Sequence, residues 1–279
     1  MDSSHEGGRL ELARQCHKWN LKLRFILLTL LALTLCNCLT IVLTETQVSN
    51  SISVYGVSGA SCGSVINKST ELSANLVCNE HGIVVNASDI SIAMNGYSII
   101  GPGIQSTKSG IIVPDVDNVT VYGPGRIVAF QSGIFATGSN KVGVSSIFLD
   151  DNRIGVYLTG ATNSTLEYNL MRNNELGIAA HSSRDILSNE NYFYDNSLAG
   201  ISFINTEDSA ITLNYINGSQ NGIFTDPSSF SNDISFNFLR NIIDINSANG
   251  LPNDITNNAY EGNYCELSLP SGICRGVTE

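Results

Sequence analysis

The chain is short of positive charge, of histidine and of helical pattern. Its 279 residues hold 14 Lys+Arg against 25 Asp+Glu, a formal net charge of −11. Five of the basic residues and three of the acidic ones fall within the first 44 positions, so the remainder holds 9 basic against 22 acidic groups. A surface of that sign repels a phosphate backbone, which argues against nucleic acid as a partner. Beyond residue 44 the only histidines are His81 and His181, with Met94 and Met171. The two histidines are 100 residues apart, so soft and imidazole ligands are not grouped as a copper site needs. No Cys-x-x-Cys pair occurs among Cys62, Cys78, Cys265 and Cys274, so a zinc signature is missing. No phosphate loop and no Ser-His-Asp nucleophile motif is readable. The middle of the chain also lacks the 3.6-residue apolar periodicity of a helix.

What is present is a repeat. Gly followed by alternating apolar residues recurs at Gly110-Ile111, Gly133-Ile134, Gly155-Val156, Gly177-Ile178, Gly200-Ile201 and Gly222-Ile223, in steps of 22 or 23 residues. About ten residues after each comes a second short stretch, such as Val119-Thr120-Val121, Ile211-Thr212-Leu213 or Ile234-Ser235-Phe236. These stretches are rich in β-branched and aromatic residues and separated by Asn, Asp, Ser and Gly, so they read as strands joined by turns. Two or three strands in ~22 residues predict one coil of a parallel β-helix, with equivalent residues stacked ~4.8 Å apart. About eight such coils from Gly82 to Tyr260 predict a rod of roughly 40 Å. The same arithmetic aligns Asn152, Asn174 and Asn196 in one column and Asn169, Asn191, Asn214 and Asn237 in another. Asn in register is expected to form amide ladders.

The Asn-x-x-Gly-Ile phrasing resembles the right-handed parallel β-helix repeats of pectate-lyase-like proteins, and within them the NosD-like, carbohydrate-binding-and-sugar-hydrolase type. The stretch from Cys62-Gly63 to Asn95-Gly96-Tyr97-Ser98-Ile99-Ile100-Gly101-Pro102-Gly103 is similar to the entry segment of secreted members. The resemblance covers roughly residues 61–275. It implies an all-β, right-handed solenoid. It leaves activity open, because the superfamily hosts lyases, hydrolases, epimerases and non-enzymes.

Residues 25–43 form an apolar run of membrane-spanning length, preceded by Arg9, Arg14, Lys18, Lys22 and Arg24. The expected organisation is a cytoplasmic segment 1–24, a transmembrane signal anchor 25–44, a linker 45–60, a cap with the first coil at 61–108, the β-helix at 109–260 and a C-terminal cap at 261–279. The positive-inside rule puts the repeats outside the cell. The alternative is a cleaved signal peptide and a secreted protein. Cys62, Cys78, Cys265 and Cys274 bracket the repeats and allow three connectivities. Short loops favour Cys62–Cys78 and Cys265–Cys274, one at each end of the rod. Sequons stand at Asn67, Asn86, Asn118, Asn163 and Asn217.

The densest polar cluster is a turn column containing Asp150-Asp151-Asn152-Arg153, Arg172-Asn173-Asn174-Glu175 and Tyr194-Asp195-Asn196. One reading is a ladder of ion pairs between coils, with Asp150 under Arg172 and Arg153 under Glu175. The other is a polysaccharide lyase or glycoside hydrolase site built from Asp151, Asp195, Glu175 and Arg172. The resemblance supplies the roles: carboxylates that bind Ca²⁺ and an Arg that abstracts a proton in lyases, paired acids in hydrolases. The Gly-His-Gly signature beside clustered Asp is missing. No metal or other cofactor is expected without that activity. Copper-enzyme maturation, implied by the NosD-like type, is a lesser alternative. Tyr192 and Tyr194 stand on one face of a strand and are candidate sugar-stacking residues, joined by Tyr157 and Tyr168 on neighbouring coils. The function expected is a cell-surface, membrane-anchored β-helix that binds a glycan or serves a structural role in the envelope.

Overall fold

The structure is a computed structural model describing residues 59–247 and 258–274. Its regular elements are β-strands, wound as a parallel β-helix. The first face stacks ten parallel strands, from Ser64–Ile66 and Ile83–Val85 through Ser109–Pro114, Ile154–Thr159 and Leu176–His181 to Ser268–Leu269. The second and third faces run as single strands around their shared corner at Val119–Val128 and Val142–Asp150. In later coils they separate, as at Thr162–Glu167 and Leu170–Arg172. Ten strands on one face mean nine coil-to-coil steps. Eight of the strands, from Ile83–Val85 to Ile243–Ser247, lie between Gly82 and Tyr260, where about eight coils are expected, and Ser64–Ile66 and Ser268–Leu269 extend the stack at its ends. Ser64-Val65-Ile66 pairs with Ile83-Val84-Val85 without the Gly-Ile signature, and Ile83 pairs with Ile111 across a longer step that breaks the period. The apolar segment 25–44, read above as an anchor, lies outside the described residues. Among the described residues no helix is long and apolar enough to cross a membrane.

The interior is built from columns. Ile83, Ile111, Ile134, Val156, Ile178, Ile201, Ile223 and Ile245 stand in register along the first face, and all are fully buried. Ile127, Leu149, Met171, Phe193, Ile216 and Leu239 form the facing column from the third. Burying each such side chain stabilises by ~1.5–3 kcal/mol. The signature glycine precedes the isoleucine because the coil is tightest there. A Cβ on Gly177 would lie 2.5 Å from the carbonyl oxygen of Gly200 in the next coil and 2.5 Å from the Phe193 ring. Backbone cannot yield to that, so the column stays glycine.

Each bend uses a residue in the left-handed region. Ser146, Tyr168, Glu190, Leu213 and Phe236 take φ of 51–59° at the corner between the second and third faces. Asp151, Asn173 and Asp195 take φ of 51–54° where the third face ends. Inside these bends the polar backbone is satisfied by the asparagine ladders that the repeat arithmetic predicts. Asn191 Oδ1 accepts from the backbone N–H of Asn169 at 2.9 Å and from Asn169 Nδ2 at 3.0 Å, while Asn191 Nδ2 donates to Leu166 O at 2.7 Å and Asn214 Oδ1 at 3.1 Å. The ladder continues through Asn237 to Asn263. A second one joins Asn152, Asn174 and Asn196. A third, of Asn232 and Asn258, occupies the corner between the first and second faces.

The solenoid ends are stapled as the short loops predict. Cys62 bonds Cys78 and Cys265 bonds Cys274, with the partners 16 and 9 residues apart. Closing loops of this size stabilises by ~2–4 kcal/mol. At the C-terminal end the buried Asp244 carboxylate accepts from the backbone N–H of Glu266 at 2.8 Å and Asn241 at 2.7 Å, fixing the last coil.

The ladder is testable. Asn191→Ala leaves the Asn169 N–H and the Leu166 carbonyl without their partners in a buried bend. Urea unfolding should show a loss of about 2–3 kcal/mol. A loss below ~0.5 kcal/mol would mean that the ladder carries no weight.

Candidate functional site

The exterior of the third face carries an aromatic column. Phe148, Leu170, Tyr192, Tyr215 and Phe238 are in register on successive strands, and Tyr264 bridges to Phe238 in the last coil. Alternation puts Met171, Phe193, Ile216 and Leu239 inside and these residues outside. Tyr215 and Phe238 stack at 5.0 Å with planes 6° apart, and Phe238 and Tyr264 at 4.6 Å and 5°. Parallel rings one coil apart bury their faces against each other and show their edges and hydroxyls to solvent. Tyr192 and Tyr194 are different. They tilt by 32° and 40° against Tyr215, which leaves ring surface uncovered, and Tyr192 is half exposed. The Tyr194 hydroxyl is held above its ordinary pKa by burial first, then by Tyr215 and Tyr192, so it stays a protonated donor at neutral pH.

Two residues further along each strand stands a polar column: Asp150, Arg172, Tyr194, Asn217 and Arg240. Arg240 lies over the Phe238 ring at 5.2 Å and has no carboxylate partner among the described residues. The neighbouring bend adds exposed Tyr168, Leu213 and Phe236. Glu190, bonded to the Tyr168 hydroxyl, raises that hydroxyl's pKa.

The charged turn residues are mostly committed to one another. Asp150 is buried between two arginines: its Oδ2 accepts from Arg126 Nε at 2.9 Å and from Arg172 Nη2 at 3.4 Å, while Oδ1 lies 3.3 Å from Arg172 Nε without a hydrogen bond. Arg126 also reaches Asp151 at 3.4 Å, and Asn173 Nδ2 donates to Asp151 at 3.2 Å. Arg153 pairs with Glu175 at 2.9 Å. Asp195 is exposed, and its carboxylate sits over Gly218, where a Cβ would collide with it. Asp151, Asn173 and Asp195 occupy left-handed positions, which short polar side chains tolerate. Their recurrence therefore has a backbone cause independent of chemistry.

Some residues were placed differently by sequence reasoning, and some were missed. Tyr157 does not join Tyr192: it stacks on Phe135 at 5.3 Å on the first face. Tyr168 stands at the corner beside the ring column. Tyr215 and Phe238 were missed, although steps of 23 from Tyr192 lead to both. Arg126 was missed because it is not in register with Asp150: its partner on the next strand is Phe148, and its side chain reaches diagonally to Asp150. His81 stands two residues before the strand Ile83–Val85, where its Nδ1 accepts from the backbone N–H of Ser109 at 3.0 Å. Burial and Lys108 hold its pKa below the ordinary value. His181 ends the strand Leu176–His181, several coils away. Among the described residues no three His, Cys, Asp or Glu side chains group as a metal site.

The ion-pair reading makes unequal demands on the two adjacent aspartates. Asp150→Ala removes the shared partner of Arg126 and Arg172 and should cost ~1–3 kcal/mol. Asp151→Ala loses only exposed contacts and should cost ~0–1 kcal/mol. Equal losses in chemical denaturation would refute the buried pivot.

Residues 81–239 match the family model described as a right-handed β-helix region, which is more than half of the chain. No curated protein matches the chain. Among solved structures, the GH136 lacto-N-biosidase from Eubacterium ramulus is similar at 12% identity and a TM-score of 0.52, over 76% of this chain and 55% of that one. Tailspike protein 2 of bacteriophage CBA120, in its enzymatically active domain, aligns at 13% identity and a TM-score of 0.47, over 76% of this chain and 38% of that one. The alginate lyase from Paenibacillus sp. aligns at 12% identity and a TM-score of 0.44, over 77% and 96%. The chain thus spans about half the lacto-N-biosidase or less of the tailspike, and at these identities the likeness is one of fold. By the match over residues 81–239, and by the coils, columns and ladders that fill that span, the chain belongs to the right-handed β-helix family.

Proposed function

We propose that this protein binds a linear glycan along its third face, without cleaving it. The observation that carries the reading is the exposed aromatic column flanked by Arg172, Asn217 and Arg240. Coils repeat every ~4.8 Å, so from Tyr192 to Phe238 the face offers a ring and a polar group at each step. That spacing is close to that of successive sugars in an extended chain. Tyr192 and Tyr194 supply uncovered ring surface for pyranose C–H groups, and the tyrosine hydroxyls, the amide and the guanidinium groups supply hydrogen bonds. The GH136 lacto-N-biosidase, named for the sugar it acts on, shares this fold, which agrees with the reading but does not carry it. A glycan array probed with the purified protein should find ligands. Tyr192→Ala and Tyr194→Ala should each weaken binding at least tenfold while circular dichroism stays unchanged. Binding that survives in the double variant would place the site elsewhere.

A second reading rests on Asp195, the exposed carboxylate of the turn column that has no ion-pair partner among the described residues. It stands two coils from Asp151 and beside Tyr194, so the pair could serve as acid and base in a hydrolase or lyase. The same array, read for shortened or unsaturated products with and without Ca²⁺, separates the two. Turnover that falls ~10²–10⁴-fold in Asp195→Ala would establish the enzyme.

Residues 25–44 complete the proposal as an uncleaved anchor that displays the β-helix outside the cell. The protein is then expected in the membrane fraction at its full 29.9 kDa, before any added glycan. A soluble form beginning near residue 45 would show a cleaved signal instead.

A further inference from the structure

We propose that the corner between the first and second faces carries Asn-linked oligosaccharides at Asn67, Asn86, Asn118 and Asn163. Five sequons are scattered along the chain, and the coils gather four of them at this one edge. Asn67 and Asn86 directly follow the first-face strands Ser64–Ile66 and Ile83–Val85. Asn118 directly precedes Val119–Val128, and Asn163 lies at the start of Thr162–Glu167. All four are exposed. The fifth, Asn217, is half-buried on the third face, in register between Tyr194 and Arg240.

The hydrogen bonding of these amides leaves room for the modification. An asparagine Nδ2 has two hydrogens. Asn86 Nδ2 donates to Asn67 Oδ1 at 3.0 Å, Asn118 Nδ2 to Asp89 Oδ1 at 2.7 Å and Asn163 Nδ2 to Asn140 Oδ1 at 2.7 Å. Each of the three makes one such bond to the preceding coil, and Asn67 enters only through its Oδ1. A glycosylated amide keeps one N–H, so the bond to the preceding coil survives and the sugar takes the place of the outward hydrogen. The ladder asparagines differ: Asn169 Nδ2 donates to both Val144 O and Asn191 Oδ1 inside a buried bend. The two disulfides are a separate observation in favour, since they form in the oxidising surroundings where secreted chains mature.

The donor required is an oligosaccharide linked through phosphate to a membrane lipid. The amide nitrogen bonds to the anomeric carbon, the bond from that carbon to the phosphate oxygen breaks, the lipid phosphate leaves with the bonding pair and the amide gives up one proton. This edge is distinct from the ring-bearing third face, so the modification stands or falls independently of glycan binding there.

The test is peptide mapping by mass spectrometry on the full-length protein isolated from its own cells. The four corner peptides should carry oligosaccharide and the Asn217 peptide should not. Asn163→Gln and Thr165→Ala should each lower the intact mass by one glycan. The second variant destroys the sequon while keeping the Asn163–Asn140 bond, so it reads modification without disturbing the corner. Four unmodified corner peptides would overturn the proposal, and so would sugar at Asn217 with the corner bare.

Discussion

Everything in this molecule depends on parallel, in-register pairing between successive coils. Each residue stands ~4.8 Å above its equivalent, so any choice made once is repeated or paid for along the whole rod. Isoleucine on isoleucine fills the interior, and glycine stands where the next coil's carbonyl leaves no room for a Cβ. Asparagine recurs where a bend removes backbone groups from the sheet. There the amide is the right size to accept from the coil on one side and donate to the coil on the other. The ladder is therefore a consequence of burying bends that a sheet cannot hydrogen-bond.

The same stacking explains why charge in the turn column carries little chemical information. Side chains one coil apart either neutralise or repel each other, so Asp150 sits between Arg126 and Arg172, and Arg153 meets Glu175. Backbone geometry adds a second constraint. The bends need left-handed residues, and Asp and Asn tolerate that conformation better than most. An acidic turn column can thus arise with no substrate in view. Tyr168, Leu213 and Phe236 are the contrary case, bulky residues that hold left-handed positions and remain exposed. They lie beside the ring column, and no requirement of the bend selects them.

Much of the fold was legible in the residues. The Gly-Ile step, the two asparagine columns, the register of Asp150 with Arg172 and of Arg153 with Glu175, and the terminal disulfides all follow from counting in steps of 22 or 23 and from loop length. Counting in a fixed step failed where a coil changed length or a contact ran off register. The step from Ile83 to Ile111 is longer than the repeat, and Arg126, in register with Phe148, reaches diagonally to Asp150. Tyr157 was misplaced for another reason. Its position in the repeat belongs to the first face, and an aromatic residue alone does not say which face it occupies.

By itself the sequence determined the architecture, because a fixed repeat with β-branched strands and Asn-rich bends has few ways to bury its apolar residues other than stacking. The ladders and caps came with it, since both are set by spacing along the chain. The tertiary structure alone decided which surface is available for recognition. It put Tyr192, Tyr194, Tyr215 and Phe238 on one exterior face, turned the later rings edge-on by stacking them, and left Arg240 without a carboxylate among the described residues. It also buried Asp150 while exposing Asp151, its neighbour in the chain. Those outcomes turn on how neighbouring rings tilt or stack and on side chains that reach off register, as Arg126 does to Asp150, and the step of the repeat gives neither.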